Sequence, residues 1–164
     1  MGAKKKAFEK PSKKNDPLPR LKKICLALPD VTAEPAYEHT KFLVKKKTLA
    51  YYTVNHHGDG MLALLVKAAP GVQGTLVEGD PETFFVPPYI GKQGWVGMRL
   101  DHRKPDWSAV EALVEDSFLL VAPKRSIAAL ESAKRVSRRG GGPRARPRAT
   151  RSRARHSSRG AART

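Results

Sequence analysis

Two stretches of the chain repeat apolar residues at the spacing of an amphipathic helix. The first begins at Asp16-Pro17, an N-cap acid followed by proline at the first helical position, and ends before Pro29. Its apolar face comprises Leu21, Ile24, Cys25 and Leu28. The second begins after Asp106 with the stripe Trp107, Val110, Val114, Phe118 and Val121. The pattern therefore predicts one packed helix on each side of a central region.

The central region has the two-residue period of β-strands. The predicted strands are Phe42–Val44, Thr48–Val54, Met61–Val66 and Trp95–Leu100, and a short helix is predicted over Val72–Glu78. Lys45-Lys46-Lys47 and the glycine-containing segment 56–60 have the composition of turns. This order predicts an α+β domain in which helices pack on one face of an antiparallel sheet. The other sheet face is left for water or a ligand.

Positive charge is concentrated at the two ends of the 164 residues, whose net charge is +17. Residues 1–17 carry a net +4 and residues 131–164 a net +11, whereas residues 18–130 carry only +2. The pattern predicts a disordered Lys-rich arm over 1–15, a folded domain over 16–131 and a disordered Arg-rich tail over 132–164. Arginine-rich segments of this kind bind nucleic-acid phosphates electrostatically.

Several classes of protein do not fit the sequence. No apolar run is long enough to span a membrane, and no secretory signal follows the N-terminal lysines. The single cysteine, Cys25, belongs to the first apolar helix face and is predicted to be a core residue. No nucleophile, metal-ligand or dinucleotide motif is present, so we expect no enzyme activity, no metal and no cofactor. We expect a cytoplasmic protein, with a monomer favoured.

Six motifs of the central region occur together and in one order. They are Leu-Ala-Leu-Pro (26–29), His-Thr-Lys-Phe (39–42), Asp-Pro-Glu-Thr-Phe-Phe (80–85), Pro-Pro-Tyr-Ile-Gly (87–91), Gly-Trp-Val-Gly-Met-Arg-Leu (94–100) and Leu-Val-Ala-Pro-Lys-Arg (120–125). In these motifs the chain resembles the MmcQ/YjbR family of small, mostly bacterial proteins. The resemblance covers residues 18–130 and neither tail. It implies a frataxin-like (CyaY-like) α+β fold and a DNA-binding function.

The candidate phosphate contacts combine basic residues of the domain with those of the tail. In the domain they are Lys41, Lys45, Lys46, Lys47, Lys92, Arg99, Lys124 and Arg125. In the tail they are Arg138, Arg139, Arg144, Arg146, Arg148, Arg151, Arg153 and Arg155. The lysine turn is either a wing that enters a groove or a charged hairpin end. Trp95 either forms a stacking surface with Arg99 or packs under the Pro87-Pro88-Tyr89 loop.

Two functional hypotheses follow. The first is a non-enzymatic DNA-binding protein, nucleoid-associated or free in the cytoplasm, with RNA left open as a partner. Its tails supply affinity that depends on salt, and its domain docks on the duplex. The alternative is a domain that binds a small molecule or a protein partner, with tails that only localise it to nucleic acid. A basic open sheet face favours the first hypothesis, and a concave, apolar, neutral pocket favours the second.

Overall fold

A computed structural model of the chain describes residue 8, residues 11–12 and residues 15–139, apart from the side chain of Arg139. One six-stranded sheet forms the centre of this part of the protein. Its strands are β1 (Val31–Ala36), β2 (His39–Val44), β3 (Lys47–Val54), β4 (Leu62–Lys67), β5 (Phe84–Phe85) and β6 (Trp95–Arg99). The strand order is β1-β2-β3-β4-β6-β5, and every neighbouring pair is antiparallel.

Four helices complete the described part. They are α1 (Leu18–Leu26), α2 (Val72–Gly79), α3 (Trp107–Val121) and α4 (Lys124–Arg139). Asp106 begins α3 because its carboxylate accepts hydrogen bonds from the backbone N–H groups of Ser108 and Ala109. Asp16 acts similarly at α1, where it accepts from the N–H of Leu18. The α+β architecture predicted from the sequence is thus confirmed.

The main core lies between one face of the sheet and the helices. The predicted helix stripes enter it: Leu21 and Cys25 of α1, together with Val110, Val114 and Phe118 of α3, are buried against the sheet. Of the two neighbouring tyrosines on β3, Tyr52 is in this core, and Tyr51 lies half-buried on the other face. Packing of the helices on one side, as predicted, leaves the opposite sheet face available.

A buried serine joins α3 to the sheet. The hydroxyl of Ser117 donates to the carbonyl of Leu49 on β3 at 2.7 Å and accepts from the N–H of Lys67 on β4 at 3.1 Å. Ser117 is fully buried, so these two bonds satisfy one buried and one partly buried backbone group beneath α3.

The C-terminal helix corrects the predicted tail boundary. A turn ending at Glu131 and a disordered tail from 132 were expected, but α4 continues to Arg139. Alanine, lysine and arginine are good helix formers, and an ion pair between Lys134 and Glu115 ties this part of α4 to α3. The sequence suggested disorder because residues 132–139 are dense in positive charge, although most of them are good helix formers. The predicted disorder of 140–164 and of most of the arm falls outside the described residues.

None of the described helices is both long enough and apolar enough to cross a membrane.

Candidate functional site

The sheet face opposite the helices carries a continuous row of side chains. The strand register places Lys41, Tyr51, Leu65, Gly97 and Phe85 side by side across five strands. A Cβ at Gly97 would collide with the ring of Phe85, so the ring lies directly on the glycine backbone. Glycine is required here because it lets an aromatic ring approach the strand closely.

Trp95 belongs to a second, smaller core on this face. It is 8% exposed, clusters with Ala63 and Leu65, and places its ring centroid 5.6 Å from that of Tyr51. Ile90 packs against the same cluster. Burial of Trp95 agrees with the packing interpretation, with Ile90 as the loop residue in the cluster, and leaves no open stacking surface to share with Arg99. The fold buries the indole between the sheet and a loop, which leaves no free ring face.

A cavity of about 240 Å³ lies on this side of the sheet. Tyr51 and Leu65 contribute to its sheet wall, Phe85 lies at one edge, and the loop 87–90 forms a second wall. Most of the lining is aromatic, aliphatic or proline side chain. The predicted open face is thus a concave, mainly apolar site instead of a lysine-rich surface.

Two histidines that are distant in sequence meet at the cavity wall. His39 Nδ1 accepts a hydrogen bond from the backbone N–H of Val54 at 3.1 Å, and His39 Nε2 lies 3.2 Å from His56 Nδ1. Because the backbone N–H only donates, neutral His39 must carry its proton on Nε2. It therefore donates to His56 Nδ1, and neutral His56 carries its own proton on Nε2. We call this pair the histidine relay, because its hydrogen bonds run in one direction and end in one donor, the Nε2–H of His56.

The electrostatics of the cavity favour this neutral relay. Burial, followed by the neighbouring rings of His57 and His39, lowers the pKa of His56 below its usual value of 6.5. A proton added to His56 Nδ1 would face the Nε2–H of His39, and the hydrogen bond would be broken. Neutral His56 therefore adds no charge to this wall at neutral pH, and the carboxylate of Asp59 also lines the cavity.

Two strained tyrosines stand at the cavity. Tyr37 is fully exposed and Tyr89 is 79% exposed, and both line the cavity. Their φ angles are 57° and 66°, a left-handed conformation that costs a non-glycine residue on the order of 1–2 kcal/mol. Large aromatic side chains held in this conformation are uncommon, and such strain accumulates at functional sites.

The predicted basic residues are spread over several parts of the chain. Lys41 and Arg99 lie on the sheet face that holds the cavity, and Arg99 pairs with Asp101 at 3.3 Å. Lys92 is exposed in a short turn beyond the loop. Arg138 is exposed near the end of α4. The backbone of Arg139 ends that helix. Arg144, Arg146, Arg148, Arg151, Arg153 and Arg155 lie outside the described residues.

The remaining five basic residues are brought together at one corner of the domain. Asp30 accepts from Lys45 Nζ at 2.8 Å and from the hydroxyl of Ser126 at 2.6 Å, which joins the β2–β3 turn to the first turn of α4. These bonds lower the pKa of Asp30 below its usual range, first through Lys45 and then through Ser126. We call Lys45, Lys46, Lys47, Lys124 and Arg125 the basic corner.

The described residues contain no group of three or more His, Cys, Asp or Glu side chains placed to hold a metal ion. Cys25 is fully buried in the main core, and burial raises the pKa of its thiol to about 12. The core assignment made from the sequence is confirmed. A thiol with this pKa is a poor nucleophile because almost none of it is ionised at neutral pH.

Comparisons with known proteins give a similar solved structure and a matching family model. The solved structure of Deinococcus radiodurans protein DR2400, a DUF419 domain, has a similar fold, with a TM-score of 0.52 and 24% identity over 63% of this chain and 76% of that one. No curated protein is significantly similar to the chain. The family model YjbR matches residues 26–120, which is more than half of the sequence and includes the whole sheet and most of α3. The chain therefore belongs to the YjbR family.

Proposed function

We propose that the protein is a non-enzymatic DNA-binding protein that contacts phosphates through the basic corner, α4 and the arginine-rich sequence that follows. The observation that carries this proposal is the charge distribution. Residues 131–164 contain twelve basic residues and one acid, and the net charge of this segment is +11. Binding through such a segment is electrostatic, independent of base sequence and strongly dependent on salt.

The basic corner supports a role for the folded domain in the same binding. Its five cations are exposed, and Asp30, the carboxylate that links the lysine turn to α4, is already engaged by Lys45 and Ser126. The corner lies at the beginning of α4. That helix also exposes Lys134, Arg135 and Arg138 before the arginine-rich sequence begins. A phosphate backbone can therefore contact the corner and the helix together.

The conformation of the lysine turn also supports a binding role. Lys45 and Lys46 have φ angles of 46° and 70°, as in the two-residue hairpin turns that favour Asn-Gly. Two consecutive lysines there destabilise the turn, and glycine or asparagine would relieve the strain. Lysine at both positions therefore lowers the stability of the turn and adds positive charge, a combination that is typical of functional sites.

The sharpest test of the corner separates binding from folding. The double variant Lys45→Asn/Lys46→Gly suits the turn better, so its melting temperature should stay the same or rise. Its affinity for duplex DNA should fall, and the slope of log K against log salt should decrease by about 0.9 for each phosphate that the variant no longer neutralises. Fluorescence anisotropy between about 50 and 200 mM salt measures both quantities.

A matched control removes the same charge elsewhere. Lys22→Gln/Lys23→Gln changes two exposed lysines of α1 and should leave the salt slope almost unchanged. Equal slopes for the corner variant and the wild type would contradict a role for the corner. The lysine turn would then be only a charged hairpin end.

The C-terminal arginines are tested in the full chain. Replacing Arg144, Arg146, Arg148, Arg151, Arg153 and Arg155 by Gln should remove most of the affinity at moderate salt and lower the slope by as much as about 5. Binding of this variant to duplex DNA with wild-type affinity and slope would refute the proposal. Duplex RNA is the competitor that tests whether DNA is preferred.

The cavity favours a second candidate function, a domain that binds a small ligand while the basic segments hold it on nucleic acid. A concave, mostly apolar site with a few placed polar groups is the usual form of a ligand pocket. In this alternative the corner and the arginines still bind phosphates, but the ligand determines what the domain does there.

A further inference from the structure

We propose that the cavity on the exposed sheet face binds one unpaired nucleobase, stacked on its aromatic side chains and hydrogen-bonded to His56. A free nucleoside and a base of a single-stranded nucleic acid present the same ring chemistry, and titrations with nucleosides and with oligonucleotides separate these sources. The single-strand source rests on the proposed function, whereas the nucleoside source does not.

The size of the cavity sets the first condition on the ligand. Its volume of about 240 Å³ is below the roughly 300–1,000 Å³ of pockets that take drug-sized molecules. It accommodates one flat ring system and leaves sugar and phosphate outside. A long peptide or an extended lipid chain does not match this volume.

The walls set the second condition. Tyr51, Phe85 and Tyr89 present ring surfaces, and Pro87 and Pro88 add flat apolar contacts. A planar aromatic ligand gains from stacking on such rings, and every base offers a π-face. The exposed Tyr89 ring has its centroid 5.6 Å from that of His57, beside the histidine relay. Tyr89 is thus available to cover a bound ring.

The polar groups set the third condition. Nε2–H of neutral His56 is a donor with no hydrogen-bond partner among the described residues. Thr53 also lines the cavity, and its hydroxyl makes only a long bond of 3.4 Å to the carbonyl of Ala63. Asp59 supplies an acceptor. A ring with an acceptor nitrogen or carbonyl next to an amino donor matches this set, and nucleobases carry such edges.

Charge around the cavity explains why the ring would belong to a nucleic acid. Lys41 lies directly opposite Tyr51 on the neighbouring strand. Arg99 is on the same sheet face, two residues along β6 from Gly97, which pairs with Leu65. A base in the cavity would thus bring its flanking phosphates towards two cations, as in single-strand binding sites that combine aromatic platforms with a positive groove.

The direct test titrates the full-length protein with adenosine and cytidine, with ribose as the probe that lacks a base. NMR of the histidine ring protons should show saturable shifts at His39 and His56 with the nucleosides and none with ribose. Tyr89→Gly removes one ring while glycine tolerates the positive φ, so the fold should be retained. Nucleoside affinity should fall about tenfold in this variant.

Two further variants complete the design. His56→Phe keeps an aromatic ring but removes the donor, and it should also weaken nucleoside binding several-fold. His102→Phe is the matched control, because it makes the same change at an exposed histidine that does not line the cavity. It should leave nucleoside affinity unchanged. Melting temperatures within a few degrees of the wild type confirm that each variant folds.

Acidification provides an independent signature of the relay. His56 faces His39, His57 and Asp59, and its pKa is lowered, so it gains a proton only below the usual range of histidine. The imidazolium keeps its Nε2–H, but the added proton breaks the bond to His39 that holds the ring in the orientation the ligand requires. Nucleoside affinity should therefore be constant above neutrality and fall with acidification. His56→Phe should remove this pH dependence, whereas a variant of the distant His102 should keep it.

Binding of single-stranded and duplex oligonucleotides shows which of the two proposals fails. Tyr89→Gly should weaken binding of a single-stranded oligonucleotide about tenfold and leave binding of the matching duplex unchanged. The corner variant should weaken both. Saturable nucleoside binding with no DNA affinity would reject the proposed function and keep this inference. DNA binding that no cavity variant alters, without nucleoside shifts, would overturn this inference alone.

Discussion

Ser117→Ala tests whether α3 is attached to the sheet as the structure indicates. The substitution removes one oxygen atom from a fully buried position and keeps the helix propensity favourable. The missing hydroxyl bonds both the carbonyl of Leu49 and the N–H of Lys67, at 2.7 and 3.1 Å. Both backbone groups lie where α3 covers the sheet, so water does not readily replace the serine.

The expected size of the effect follows from these two bonds. A buried backbone group that is left without its partner raises the free energy of the folded state by about 1–3 kcal/mol. With two such groups, one of them only partly buried, we expect a destabilisation of about 2–4 kcal/mol. For a domain of this size the melting temperature changes by roughly 3–5 °C per kcal/mol. Ser117→Ala should therefore melt about 6–20 °C below the wild type.

Urea unfolding followed by circular dichroism measures this destabilisation directly. The control is Ser108→Ala, which makes the same chemical change at an exposed position of α3. It should change the free energy of unfolding by less than about 0.5 kcal/mol. If Ser117→Ala were no more destabilising than Ser108→Ala, the hydroxyl would not be bridging the helix to the sheet.

Three other substitutions or reactions test separate parts of the fold. Gly97→Ala should destabilise the domain by about 1–3 kcal/mol because the new methyl group meets the Phe85 ring, and adding Phe85→Ala should recover most of that stability in a double-mutant cycle. Cys25, with a pKa of about 12, should not react with a thiolate-specific reagent at pH 8 until denaturant is added, and rapid native labelling would contradict its burial. Trp107→Ala should lower the free energy of unfolding, measured thermally or in urea, by about 2–3 kcal/mol. This is below the range for a fully buried tryptophan because the Trp107 ring is only half-buried. The Arg20 guanidinium covers the ring, 4.6 Å from its centroid. A larger effect would mean that the ring carries more of the core than its exposure indicates.

The sequence by itself determined the parts of this protein that depend on local pattern. The faces of α1 and α3 and the main strands are visible as apolar periods, because a residue's position on a helix or strand follows from its spacing. The lysine turn and the charged ends are visible from composition alone. Pattern failed at α4, where local charge indicated disorder although the residues are good helix formers and Lys134 reaches Glu115.

Only the tertiary structure decided the candidate sites. His39 and His56 meet because they lie near the open end of the β2–β3 hairpin, and a register shift between Phe42 and Leu43 sets the exact pairing of those strands. No local signal in the sequence encodes that shift.

The basic corner likewise depends on contacts between residues 96 positions apart, since Asp30 links the lysine turn to Ser126. The cavity exists because a loop packs over a face that strand alternation alone would leave open. Spacing along the chain specifies which side chains share an element. The distances between elements, which create a pocket or concentrate charge, arise only when the elements pack.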